Sequence, residues 1–145
     1  MKKGINFSNI ELEFLSIFEL TTSVKAKDCI IDDNFNRVIF LVEPKYVGLA
    51  IGKKGENIQL LKKIIKKDAE IIPYYEEPVE LIKSCFSPFE IRDAKIITSP
   101  KGNKVALVYV DPEIKAKVIG YRGKNVVRAR MVLNRYFDIS NVIVV

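Results

Sequence analysis

With 145 residues, 48% of them apolar, the chain can bury the core of one ordinary domain or of two small ones. Its formal charge is +6, it has no histidine, and Cys29 and Cys85 form neither a close pair nor a metal-ligand spacing, so zinc and cofactor chemistry are not expected and two buried thiols in a cytoplasmic protein are. No apolar run approaches the roughly 18 residues of a membrane span, and although Lys2 and Lys3 imitate the start of a signal peptide, Asn9, Glu11 and Glu13 break the apolar stretch that must follow.

In chain order, Ser8 can cap a helix and Glu11 completes a capping box, with Phe7 and Leu12 at the staple positions around it. Leu12, Leu15 and Phe18 recur at helical spacing. Thr21, Thr22 and Ser23 are poor helix formers and should end it. Val24 to Ile31 and Arg37 to Val42 read as a hairpin around Asp32, Asp33 and Asn34. Pro44 opens a short helix to about Ala50. A turn from Gly52 to Gly55 follows, then a helix over about Lys54 to Lys67 with Ile58, Leu61 and Ile65 on one face. A strand from Ala69 to Pro73 closes the unit.

Residues 74–78 read as a stiff linker between two domains, 1–73 and 79–145, with Pro73 and Pro78 at its ends. Tyr74 and Tyr75 are assigned to packing between the lobes. The order then repeats: a helix over about Val79 to Phe86, strands over about Ile91 to Thr98 and Lys104 to Val110, and a short helix from Pro112. The final elements are a turn, a helix to about Tyr136 and a strand from Asn141 to Val145. The fold class is α+β, each half a mixed three-stranded sheet packed on helices.

The halves are copies. Ile51-Gly52-Lys53-Lys54-Gly55-Glu56-Asn57 returns 68 residues later as Ile119-Gly120-Tyr121-Arg122-Gly123-Lys124-Asn125, and Pro44 and Pro112 keep the same offset. Charge follows the repeat. Residues 44–67 hold seven basic side chains and one acid, and so do residues 112–135, which leaves the remainder of the chain acidic. Positive charge gathered on a repeated unit is the footprint of a polyanion binder.

Each Gly-x-x-Gly turn leads into a helix whose first N–H groups are free and whose dipole is positive there. Glycine lets a phosphate backbone come close. Lys53, Lys54, Arg122 and Lys124 supply charge in or beside the turns, so the parts for holding a sugar-phosphate chain are present twice. Mononucleotide loops fail on spacing: Val118 stands where the required glycine would be, and Asn125 where Ser or Thr would be. Gly48, Gly52 and Gly55 make no dinucleotide fingerprint either.

On these residues the unit resembles a KH domain, whose Gly-x-x-Gly loop holds about four nucleotides of single strand by their backbone. The helix ahead of the strands resembles the type II arrangement. Gly48 to Ile58, together with Lys27-Asp28-Cys29-Ile30-Ile31-Asp32, is similar to the archaeal NusA-like transcription factors, and the likeness spans essentially the whole chain. It implies binding to single-stranded RNA in transcription termination or antitermination; the chain is expected to be a monomer. RNA polymerase is a further partner implied by resemblance alone, because 145 residues leave no room for the polymerase-binding and OB-fold domains of bacterial NusA. A ribosomal or ribosome-assembly KH protein is the neighbouring alternative, and a protein-interaction scaffold the alternative of another class.

The RNA-binding residues expected are Gly52, Lys53, Lys54, Gly55, Gly120, Tyr121, Arg122, Gly123 and Lys124. In KH domains the positions of Ile51, Ile58, Ile119 and Val126 help form the groove for bases; core packing ranks first for Ile58 and Val126. Tyr121 can stack on a base or stand as an exposed loop tyrosine. Lys66, Lys67 and Arg135 suit helix ends rather than RNA. No nucleophile–base pair is present, so no catalysis is expected.

Overall fold

The computed structural model describes residues 6–145; Lys2 and Lys3, and with them the start of the first expected domain, lie outside the described residues. The chain divides into two compact units, 6–74 and Tyr75–Val145. The first runs α1 (Asn9–Thr22), β1 (Asp28–Asp32), β2 (Arg37–Val42), α2 (Val47–Ile51), α3 (Glu56–Ile65) and β3 (Asp68–Pro73). The second runs α4 (Pro78–Ser84), β4 (Asp93–Thr98), β5 (Lys104–Tyr109), α5 (Lys115–Ile119), α6 (Lys124–Phe137) and β6 (Ile139–Val144). Each half is therefore helix, strand, strand, helix, helix, strand, as the repeat implied.

Each unit carries a mixed three-stranded sheet. β2 lies between β1 and β3, antiparallel to the first and parallel to the second; β5 stands in the same relation to β4 and β6. A parallel neighbour needs a long crossover, and the helix pair with its glycine turn is that crossover. The turn is thereby fixed at one end of the sheet by two helices.

The start of α1 is built as its residues dictate. Ser8 N donates to Glu11 Oε1 at 2.8 Å and Glu11 N to Ser8 Oγ at 3.2 Å. The inward stripe differs from the one expected. Leu12 is 49% exposed, whereas Phe14 and Leu15 pack on the core and Phe18 is fully buried, its ring centroid 4.4 Å from that of Phe40. β1 begins later than the apolar run suggested, because Thr22 Oγ1 accepts from Val24 N at 3.1 Å and removes that group from the ladder. Val24 and Ala26 are buried without pairing.

Beyond β1, Asp32 Oδ1 accepts from Asn34 N at 3.1 Å and closes the hairpin. Its other oxygen accepts from Arg37 Nε at 2.8 Å, and Arg37 Nη1 also donates to Glu70 Oε1 at 3.1 Å. Arg37 is fully buried and reaches from β2 to both neighbouring strands. Tyr74 extends the first unit past β3: its N–H donates to Val42 O at 2.8 Å, its side chain is buried, and Lys27 Nζ lies 5.0 Å from its ring.

In the second unit Glu77 caps α4, accepting from Glu80 N at 2.8 Å. Arg128 is buried and donates to Cys85 O at 2.9 Å and Ser87 O at 3.1 Å. Both cysteines are free thiols and buried. Burial pushes the Cys85 thiol up to about 12, against the pull of the Arg128 cation, so it stays protonated and unreactive at neutral pH. Among the described residues no helix is long and apolar enough to cross a membrane.

Candidate nucleic-acid interface

The two glycine turns share one backbone. Gly52 has φ +83° and ψ 168°, Lys54 φ 55° and ψ 25°, Gly55 φ +75°. The corresponding values are Gly120 φ +85° and ψ 166°, Arg122 φ 56° and ψ 27°, Gly123 φ +73°. The left-handed residue displaces the first of the following helices from its expected start: α3 begins at Glu56, not Lys54. A right-handed residue followed by a left-handed one turns successive N–H groups toward one concavity, the geometry that receives anions.

An asparagine locks each corner from behind. Asn57 Nδ2 donates to Leu49 O at 3.2 Å, and Asn125 Nδ2 donates to Lys117 O at 3.3 Å. Those carbonyls end α2 and α5, where no helical partner remains. The amides fill the space beside the first glycine: a Cβ on Gly52 would stand 2.8 Å from Asn57 Cγ, and one on Gly120 2.9 Å from Asn125 Nδ2. The amide also ties the start of the second helix to the end of the first.

The tips face solvent. Lys53, Lys54 and Arg122 are exposed, and Tyr121 is 78% exposed with the Arg122 guanidinium 5.6 Å from its ring centroid. Lys124 opens α6 half-buried. Ile51 and Ile119 are half-buried at the ends of α2 and α5. Ile58 packs against the first core, as expected. Val126 is half-buried and, with Ile119, Arg122 and Gly123, lines an open groove between the glycine turn, α6 and the edge strand β6. Away from the turns, Lys67 donates to Asn36 Oδ1 at 3.1 Å, and Lys66 closes α3.

Three further groove residues carried no role in the sequence. Arg130 lies one helical turn beyond Val126, and Asn141 and Ile143 face the groove from β6. The helical period links Arg130 to Val126, but only the sheet register brings β6 opposite them. The bracing asparagines were visible as repeated letters after each turn, while their acceptors lie eight residues earlier.

Two mixed sheets, each with a basic Gly-x-x-Gly corner between paired helices, define a tandem KH protein. Residues 15–84 match the KH domain family and residues 78–144 the NusA-like second KH domain. The chain belongs to the archaeal NusA-like family. It is 30% identical, over 97% of its length and 75% of the relative's, to the "Probable transcription termination protein NusA" of Methanocaldococcus jannaschii. It is 32% identical to the protein of that name from Methanococcus vannielii, over 97% of this chain and 80% of that one. A crystal structure of the protein APE1850 superposes with a TM-score of 0.87 at 33% identity, covering 96% of this chain and all of that one.

Proposed function

We propose that the chain is an RNA-binding transcription factor acting in termination or antitermination. It holds single-stranded RNA by its sugar-phosphate backbone at Gly52–Gly55 and Gly120–Gly123, with bases resting against Ile51 and Ile58 in one unit and Ile119 and Val126 in the other. The observation that carries this reading is the recurrence of one strained, braced corner with solvent-facing cations at its tip. Left-handed residues also close helices elsewhere in the chain, at Ser23, Lys66 and Asp138, so the support lies in the same corner recurring with exposed cations at its tip, Lys53 and Lys54 in one unit and Arg122 in the other. The names of the curated relatives support the transcriptional role. RNA polymerase is the second partner that this role would involve.

Binding of labelled short single-stranded RNA, followed at two or more salt concentrations, tests the reading. Each neutralised phosphate contributes a slope of about −0.7 in log K against log salt. Lys53→Asp combined with Lys54→Asp should weaken binding at least about tenfold and flatten the slope by about one to two, with the far-UV spectrum unchanged. Unaltered affinity in the folded double variant would remove the first corner from the interface. No binding of any RNA at low salt would favour the protein-interaction scaffold.

A further inference from the structure

We infer that the groove of the second unit selects a base edge bearing two adjacent hydrogen-bond acceptors, O6 and N7 of guanine or N3 and O2 of cytosine, over adenine and uracil. The inference rests on the backbone-clamp reading above and adds a base preference to it. Asn141 and Arg130 both line the groove beside the Gly120–Gly123 corner. Asn141 Oδ1 accepts from Val142 N at 2.9 Å and from Arg130 Nη2 at 3.2 Å. A backbone N–H can only donate, so the amide oxygen is the atom held there and the orientation of the amide is fixed. What remains for a ligand is the Asn141 Nδ2 amino group and the other N–H groups of Arg130, all of them donors.

Two neighbouring donors match two neighbouring acceptors. The Hoogsteen edge of guanine presents O6 and N7 side by side, and cytosine presents N3 and O2. Adenine places its amino donor between N1 and N7, and its N3 has no second acceptor beside it. An asparagine reads adenine with its oxygen and its nitrogen together, and here the oxygen already holds two donors. Uracil sets a ring N–H donor between its two carbonyls. Ile143 and Val126 supply apolar walls for whichever ring enters.

The first unit provides an internal contrast. Val38 pairs with Ala69 as Ala106 pairs with Val142, so Asp68 occupies the position of Asn141. Its Oδ1 accepts from Ala69 N at 2.9 Å and lies 3.2 Å from Lys62 Nζ, and Lys62 is the repeat counterpart of Arg130. The same framework therefore carries a carboxylate in one unit and an amide in the other, so the donor-only floor is particular to the second groove.

The test uses the full chain carrying Lys53→Asp and Lys54→Asp, so that binding reports the second groove. Short uridine oligomers with one guest position varied among the four bases are titrated by fluorescence anisotropy. Guanine and cytosine guests should bind at least about fivefold more tightly than adenine or uracil guests. Adding Asn141→Asp should abolish that preference while the salt slope stays unchanged. Equal affinity for the four guests, a preference for adenine, or a preference that survives Asn141→Asp would overturn the inference and leave the backbone clamp standing. Failure of this variant to bind any oligomer, where the parent chain binds, would remove the second corner from the clamp and the inference with it. Should Asn141→Asp not fold, the guest-base series on the parent chain decides alone.

Discussion

The first glycine of each corner is required twice over. At φ +83° and ψ 168°, Gly52 occupies a region that side-chain-bearing residues essentially never enter. The space a Cβ would need is also filled by Asn57. Gly55 is less constrained: it is left-handed, but a Cβ there would meet Ile58 Cγ2 at an ordinary 3.7 Å. Gly52→Ala should therefore destabilise the first unit by about 2–3 kcal/mol and Gly55→Ala by about 1. Urea unfolding of both variants checks the ranking, and equal losses would show that the amide yields to the new methyl group. The letters Gly-x-x-Gly-x-Asn were legible as a repeated pattern. The inequality of the two glycines was not, because it arises from a side chain five residues further on. Asn141 was hidden for a related reason: its role depends on a hydrogen-bond orientation fixed by Val142 and Arg130, which no spacing rule encodes.

At the scale of elements, one side chain fastens a whole sheet. Arg37 leaves β2 fully buried and meets Asp32 of β1 and Glu70 of β3. Removing one partner of a buried ion pair leaves uncompensated charge and costs about 3–5 kcal/mol. Arg37→Ala should lose about that much in equilibrium unfolding, whereas Arg92→Ala, whose pair with Asp111 is exposed, should lose less than about 1 kcal/mol. Comparable losses in the two variants would show that burial does not set the value of these pairs. The order of elements was readable because hairpin turns, prolines and glycines punctuate it so clearly. Boundaries slipped where a side chain binds the backbone locally or a residue turns left-handed. Thr22 withholds Val24 from the ladder, and left-handed Lys54 delays α3. The inward face of α1 was misread at Leu12 because Phe14 and Leu15 already turn the core-facing stripe away from it.

Across the whole molecule, the positive excess sits on residues 44–67 and 112–135, which carry the two corners, and the rest of the chain is acidic. On the proposed reading, two loops on one chain turn the second contact with a strand into an intramolecular step. With RNA of about four nucleotides, enough for one loop, Arg122→Asp should weaken binding by only about twofold, since the first loop remains. With RNA long enough for both, the same substitution should weaken it by at least about a hundredfold. Equal losses on the two lengths would mean that the loops never share a strand. The corner's backbone is the same with two different first tip residues, Lys53 and Tyr121. The glycines and the asparagine behind them set the backbone, and Lys53-Lys54 and Tyr121-Arg122 ride on nearly identical dihedral angles. The corner is in effect a socket. One duplicated frame thus presents two chemistries, a doubly cationic tip in the first unit and an aromatic beside a cation in the second, on the same backbone.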